Sequence, residues 1–156
     1  MSINNKFINV LIVDDEQDIC EMVSGILADN GYNVRSTECY VDAVESIEDQ
    51  VPQLVILDVW LGDSERDGIR WLQYIKNKYP HVIVIMISGH GTIATAVEAI
   101  KRGAYDFLEK PFDSSRLIIS IEKALEVDKL QSENNDLKIK AKVTDSIIGI
   151  STNIKI

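Results

Sequence analysis

Short apolar runs alternate with stretches of helical period five times along this chain, and that alternation constrains the fold more than any other feature. Asn9 to Val13, Asn33 to Thr37, Leu54 to Leu57, Val82 to Ile87 and Tyr105 to Glu109 read as strands. Between them, apolar residues recur at helical spacing: Ile19, Val23, Ile26 and Leu27, then Ala43, Val44 and Ile47, then Leu72 and Ile75, then Ile93, Ala96, Val97 and Ile100. Gly31 stops the first helix, Gly68 opens the third, Pro80 closes it, and Gly103 ends the fourth. Asp113 is a good N-cap for a last helix that offers Leu117, Ile118, Ile121 and Leu125 to the interior. Strands that are apolar on both faces need helices on both sides, which a parallel sheet with crossover helices provides. Five such units in a row predict a doubly wound α/β fold.

Composition narrows the function. Of 156 residues, 46% are hydrophobic, enough for a proper core, and the net charge is −9. That acidity works against binding to nucleic-acid phosphates or anionic membranes, so neither is an expected partner of this segment. The longest apolar run, Val82 to Ile87, is far short of the roughly 18 residues a membrane span needs. Asp14-Asp15-Glu16 comes too early for a signal-peptide core, so the expected location is cytoplasmic. Cys20 and Cys39 form neither a CxxC nor a Cys/His cluster. They are expected to be free, buried thiols and not zinc ligands.

In doubly wound folds, ligands sit at the carboxyl ends of the strands. Asp14-Asp15 follows strand 1, Asp58 follows strand 3, Ser88 follows strand 4 and Lys110-Pro111 follows strand 5. Crowded carboxylates repel unless a cation lies among them, and a hard ion such as Mg²⁺ prefers oxygen ligands. A lone carboxylate can then act as a nucleophile toward phosphorus. A metal, a lysine and a hydroxyl would neutralise and hydrogen-bond the phosphoryl oxygens. Asp58, alone after the most apolar central strand, is the expected nucleophile. Asp14 and Asp15 are the expected metal pair, Lys110 the cation and Ser88 the hydroxyl. Any one of these acids by itself reads more readily as a helix cap. The set of five, each at a strand end, does not.

The stretches Val10 to Glu16 (VLIVDDE), Val55 to Asp58 (VILD), Val84 to Gly89 (VIMISG) and Gly103 to Phe112 (GAYDFLEKPF) resemble the receiver domains of bacterial two-component response regulators. The likeness covers residues 8–127. It implies a flavodoxin-like sheet of order 2-1-3-4-5 and phosphotransfer from a histidine kinase to Asp58. It implies Mg²⁺ on Asp15, Asp58 and the Trp60 backbone carbonyl, with Asp14 assisting, and a rotamer switch shared by Ser88 and Phe107. It also implies a cis Lys110–Pro111 bond and a role as a phosphoacceptor switch, not an enzyme. Two features depart from the family pattern. Gly62 stands where a proline is usual, and Asp63 to Asp67 lengthens the next loop. This longer loop after Trp60 and Leu61 is similar to that of the nitrogen-regulator NtrX group. Trp60 is expected to shield the phosphoryl group from water, and His90 flanks the same mouth.

Beyond Leu125, the residues Val127, Leu130, Asn134, Leu137 and Ala141 follow a 3,4 spacing with a polar Asn at an a-type position. The expectation is a helical linker over residues 128–143, continuing the last helix and supporting a homodimer. Residues 144–156 resemble the opening of the AAA+ domain of sigma-54-dependent activators. No GxxxxGK[ST] phosphate loop is present. DNA and ATP binding are therefore expected only of domains beyond this segment, in a longer transcription regulator.

Two other functions fit the fold less well. A metal-dependent phosphatase with an aspartyl nucleophile usually has an acid two residues later, and Trp60 cannot serve as one. A flavin module needs a phosphate-binding loop after strand 1, where Asp14, Asp15 and Glu16 would repel a phosphate.

Overall fold

The computed structural model describes residues 8–60, 65–89 and 93–128. The chain divides into two units, Met1–Ile121 and Glu122–Ile156. The first holds five strands, β1 (Asn9–Val13), β2 (Asn33–Thr37), β3 (Leu54–Asp58), β4 (Ile83–Ser88) and β5 (Asp106–Glu109). Between them lie α1 (Gln17–Asp29), α2 (Tyr40–Asp49), α3 (Glu65–Lys78) and α4 (Ile93–Lys101). A last helix, α5, covers residues 114–128. Asp113 caps it as expected, its Oδ1 accepting the Arg116 N–H at 2.8 Å.

All strand pairs are parallel and the order is β2-β1-β3-β4-β5. Every residue of β3 and β4 is buried. One face of the sheet carries Leu11, Val13, Val55, Leu57, Val84 and Met86, packed with Ala43 and Ile47 of α2 and Ile69, Leu72 and Ile75 of α3. The intervening residues Val10, Ile12, Leu54, Ile56, Ile85 and Ile87 point the other way and are also buried. Cys20, Val23 and Leu27 of α1 are buried as well, outside the first cluster. Both faces are thus covered, as apolar strands of period one require. The edge strand β2 is more polar. Its Arg35 donates to Ser46 Oγ at 2.6 Å, to the Ser46 carbonyl at 3.0 Å and to the Gln50 carbonyl, so it closes the C-terminal end of α2.

Two expectations change, and α4 adds a feature that its spacing does not show. Gly68 does not open α3, which begins at Glu65. Gly68 lies one turn inside, where the helix crosses the backbone of Val59. A Cβ there would stand 2.3 Å from the Val59 oxygen. The glycine is a close-approach residue and not a helix breaker. Residues 65–67, read as the end of a long loop, form the first turn of this helix. In α4 the apolar residues that reveal the helix are not the ones it buries. Thr95 and Ala99 are buried, while Ile93, Val97 and Ile100 are exposed, Ile93 by 85%. Cys20 is buried but Cys39 is exposed. Burial, helped by the charges of Asp14 and Glu38, pushes the Cys20 thiol up to about 11, so it stays protonated and unreactive.

Candidate functional site

The chain reverses direction in the sheet order between β1 and β3, and the crevice at that point opens beyond their carboxyl ends. A cleft of about 960 Å³ lies there, lined by Asp15, Glu16, Ile19, Met22, Asp58, Trp60, Gly89, Lys110, Pro111 and Phe112.

Asp14 follows β1 directly and is fully buried. Its Oδ1 accepts the Glu16 N–H at 2.8 Å, which tightens the turn into α1. Its carbonyl accepts a weak bond from Cys20 Sγ at 3.2 Å. Asp58 closes β3 and is 3% exposed. Its Oδ1 accepts the Trp60 N–H at 3.1 Å. The next residue, Val59, is tied by its N–H to the Ile87 carbonyl at 2.9 Å. The loop bearing the acid is therefore anchored to both its own carboxylate and the neighbouring strand.

Lys110 enters from β5. Its backbone N–H donates to the Ser88 carbonyl at 2.7 Å, and the Lys110–Pro111 bond is cis, as expected. Its Nζ lies 2.7 Å from Glu16 Oε1, 3.0 Å from Asp14 Oδ2 and 3.5 Å from Asp58 Oδ2. One ammonium thus faces three carboxylates. Burial lowers its pKa. The hydrogen bond to Glu16, the close ion pair with Asp14 and the charge of Asp58 outweigh that and hold it above its ordinary value. It remains charged at neutral pH. Asp58 moves the opposite way from a paired surface acid. Burial first, then the charge of Asp14, pushes it up to about 7, although Lys110 and the Trp60 N–H pull it down. Without a further cation, this site carries more negative charge than its lysine can balance.

Carboxylate oxygens of Asp14, Glu16 and Asp58 all lie within 4.8 Å of one another. Asp14 Oδ2 is buried and, among the described residues, has no hydrogen-bond partner of good geometry, though Lys110 stands 3.0 Å away. A cluster of hard oxygen donors with an under-satisfied buried oxygen suits Mg²⁺. The residues present therefore fit such an ion.

The structure brings Asp14, Asp58 and Lys110 together as the sequence suggested. Asp15 is exposed and lines the cleft, outside the close trio of acids. Ser88 is buried at the end of β4, and Phe107 is half-buried against the main core. Trp60 lines the cleft and is 42% exposed. His90 lies outside the described residues. Sequence reasoning missed Glu16. A usable signal existed: it is the third acid of the run after β1 and stands at the N-cap of α1, beside the other two.

Residues 10–122 match the response regulator receiver domain family. An NtrX-like response regulator of Rickettsia bellii is 48% identical over 147 residues, which is 94% of this chain and 31% of the relative. The nitrogen assimilation regulatory protein NtrX of Azorhizobium caulinodans is 51% identical over 130 residues, 83% of this chain and 29% of the relative. This chain thus spans about three-tenths of the length of those relatives. The crystal structure of the receiver domain of NtrX from Brucella abortus superposes with a TM-score of 0.71 at 52% identity, covering 75% of this chain and 98% of that one. An acidic pocket with one lysine at the carboxyl edge of a 2-1-3-4-5 sheet, together with these matches, places the chain in the response regulator receiver domain family.

Proposed function

We propose that Asp58 accepts a phosphoryl group from the phosphohistidine of a sensor kinase, and that the domain relays this charge change to the rest of a longer, NtrX-like transcription regulator. The observation that carries the reading is the setting of Asp58. It is a buried carboxylate with a charged lysine 3.5 Å away and two further acids within 4.8 Å. In the reaction, an Asp58 oxygen bonds to phosphorus as the phosphorus–nitrogen bond of the donor breaks. The imidazole nitrogen keeps that electron pair and is left to take up a proton. Asp14, Asp15, Asp58 and the Trp60 carbonyl are the residues proposed to hold Mg²⁺, with Glu16 within reach. When bound, the ion would offset the negative charge on carboxylate and phosphoryl oxygens. Lys110 supplies a second positive charge to the same oxygens. Asp58 must be ionised to attack, so a nearby cation also serves to lower its raised pKa.

Once Asp58 is phosphorylated, Ser88 and Phe107 are proposed to turn together and pass the change along β4 and β5. Trp60, on the cleft wall, is proposed to keep water from the phosphoryl group. No helix among the described residues is long and apolar enough to cross a membrane. A cytoplasmic location, where a kinase could reach the cleft, fits this role. DNA and ATP binding, and control of sigma-54-type transcription, are proposed for the regions of such regulators beyond this segment.

Incubation with Mg²⁺ and acetyl phosphate, followed by intact-mass measurement, tests the reading. Wild type is expected to gain one phosphoryl group and Asp58→Asn none. In the decay phase after donor removal, Trp60→Ala is expected to lose the group roughly threefold to tenfold faster, a barrier change of about 1 kcal/mol. A wild type that stays unmodified with both the small donor and a cognate kinase would sink the main claim. An unchanged or slower decay would sink the role of Trp60.

A further inference from the structure

Glu16 touches the same lysine as the other two pocket acids, but it is held differently. Its backbone is fixed at the start of α1. The N–H donates to Asp14 Oδ1 at 2.8 Å, and the carbonyl accepts from Ile19 and Cys20, each at 3.1 Å. The side chain makes no capping bond to its own helix, although the residue occupies the N-cap. It reaches across the cleft and accepts from Lys110 Nζ at 2.7 Å. It is also 60% exposed, whereas Asp14 and Asp58 are buried. Of the three carboxylates on Lys110, it alone can swing into water without losing a buried contact.

Lys110 is constrained at its base, where its N–H is bonded to the Ser88 carbonyl. Its ammonium therefore moves by side-chain rotation alone, about a fixed base. At rest it lies closest to Glu16, at 2.7 Å, and farthest from Asp58, at 3.5 Å. A charge-assisted bond of this type is normally about 2.7–2.9 Å long, so the Asp58 contact is not one. The ammonium is thus drawn toward the mouth of the cleft and away from the acceptor.

We infer that Glu16 is a positioning residue that restrains Lys110 in the unphosphorylated protein, and that the incoming phosphoryl group must displace the Glu16 carboxylate to recruit the lysine. The inference rests on the reading of Asp58 as phosphoacceptor. A phosphoryl group on Asp58 offers three acceptor oxygens to an ammonium with three donors. Moving Lys110 toward them breaks its bond to Glu16. That bond stabilises the ground state but not the transition state, so it slows the transfer. Because Glu16 is more than half exposed, the effect is modest, about twofold to fivefold in rate. For the same reason it is sensitive to salt, which screens an exposed pair far more than a buried one.

The test measures phosphorylation rates by intact mass with acetyl phosphate as donor, across a Mg²⁺ titration up to saturation and at low and high ionic strength. Glu16→Gln and Glu16→Ala are expected to be phosphorylated about twofold to fivefold faster than wild type at low salt. Wild type is expected to approach them as salt rises. Glu16→Asp, which keeps the charge on a shorter stem, should lie between. Folded Gln and Ala variants that react no faster than wild type overturn the inference while leaving Asp58 as acceptor. So does a result in which they merely need more Mg²⁺ to reach the wild-type rate, because Glu16 would then be only a metal ligand. A wild type that gains no phosphoryl group removes the reading of Asp58, and the restraint falls with it.

Discussion

Asp58 is the residue whose chemistry depends most on its surroundings. An ordinary aspartate titrates near 3.9, whereas burial and the charge of Asp14 push this one up to about 7. The folded state therefore binds a proton at Asp58 more tightly than the unfolded state does. The stability this proton brings is fully present below about pH 4 and is lost as pH rises through about 7. Lys110 is held above its ordinary value and stays charged over this whole range, so it does not contribute to the change. In urea titrations without metal, wild type is expected to lose about 1–3 kcal/mol from this group between pH 5 and pH 8. Asp58→Asn has no proton to lose there, so the two stability curves should diverge with pH. Added Mg²⁺ should restore much of the loss, because it binds the folded, ionised site. Parallel curves for wild type and Asn would refute the assignment. The place of Asp58 in the pocket was legible from sequence because five polar groups each follow a strand of one parallel sheet; a single acid there would read as a helix cap. Glu16 was not, because the sequence does not show which of three consecutive acids will turn toward a lysine that is distant in the chain.

At the scale of elements, two glycines in helices behave oppositely. Gly25 in α1 has nothing within 4 Å of the position a Cβ would take. Gly68 in α3 would place a Cβ 2.3 Å from the Val59 oxygen, and its own N–H donates to that oxygen at 3.1 Å. Helix propensity favours alanine over glycine by about 1 kcal/mol at either site. At Gly68 the clash is with backbone, which cannot rotate away, and overpacking of this kind costs about 1–3 kcal/mol. Gly25→Ala is therefore expected to raise the urea midpoint and Gly68→Ala to lower it. Val59 follows Asp58, so the second variant should also slow phosphorylation. If Gly68→Ala were as stable as wild type, the close approach of α3 to the β3 loop would be wrong. β1, β3 and β4 were legible because continuous apolar runs of four or more residues are buried on both faces. The start of α3 was not, since glycine reads as a breaker until its neighbour across the loop is known. The facing of α4 was not either. The small residues Thr95 and Ala99 meet the interior, and the larger Ile93, Val97 and Ile100 are left outside, so side-chain size misleads about which stripe is inward.

At the scale of the whole molecule, a switch must convert one new charge at Asp58 into a change that other parts of the protein can sense. Dimerisation is one such change, and two surfaces compete for it. The first is the helical linker expected over residues 128–143, which lies outside the described residues after Asp128 and where Leu130, Asn134, Leu137 and Ala141 keep a 3,4 spacing that begins at Val127. The second is the exposed apolar stripe of α4, with Ile93, Val97 and Ile100. The linker seam runs for only about two heptads, which is marginal for a coiled coil by itself. It carries a polar Asn134, however, and such a residue fixes register at some cost in stability; a surface used only for solubility has no need of it. The linker is therefore the expected primary contact. Sedimentation equilibrium of the full chain should show a dimer in exchange with monomer. A chain ending at Val127 should be monomeric at the same concentrations. Asn134→Leu should strengthen the association and broaden it toward higher oligomers, because the register constraint is removed. If the shortened chain dimerised as well as the full one, the linker would not be the contact. Ile93→Asp and Ile100→Asp would then be expected to abolish association, because a charge on a buried apolar interface is unpaired.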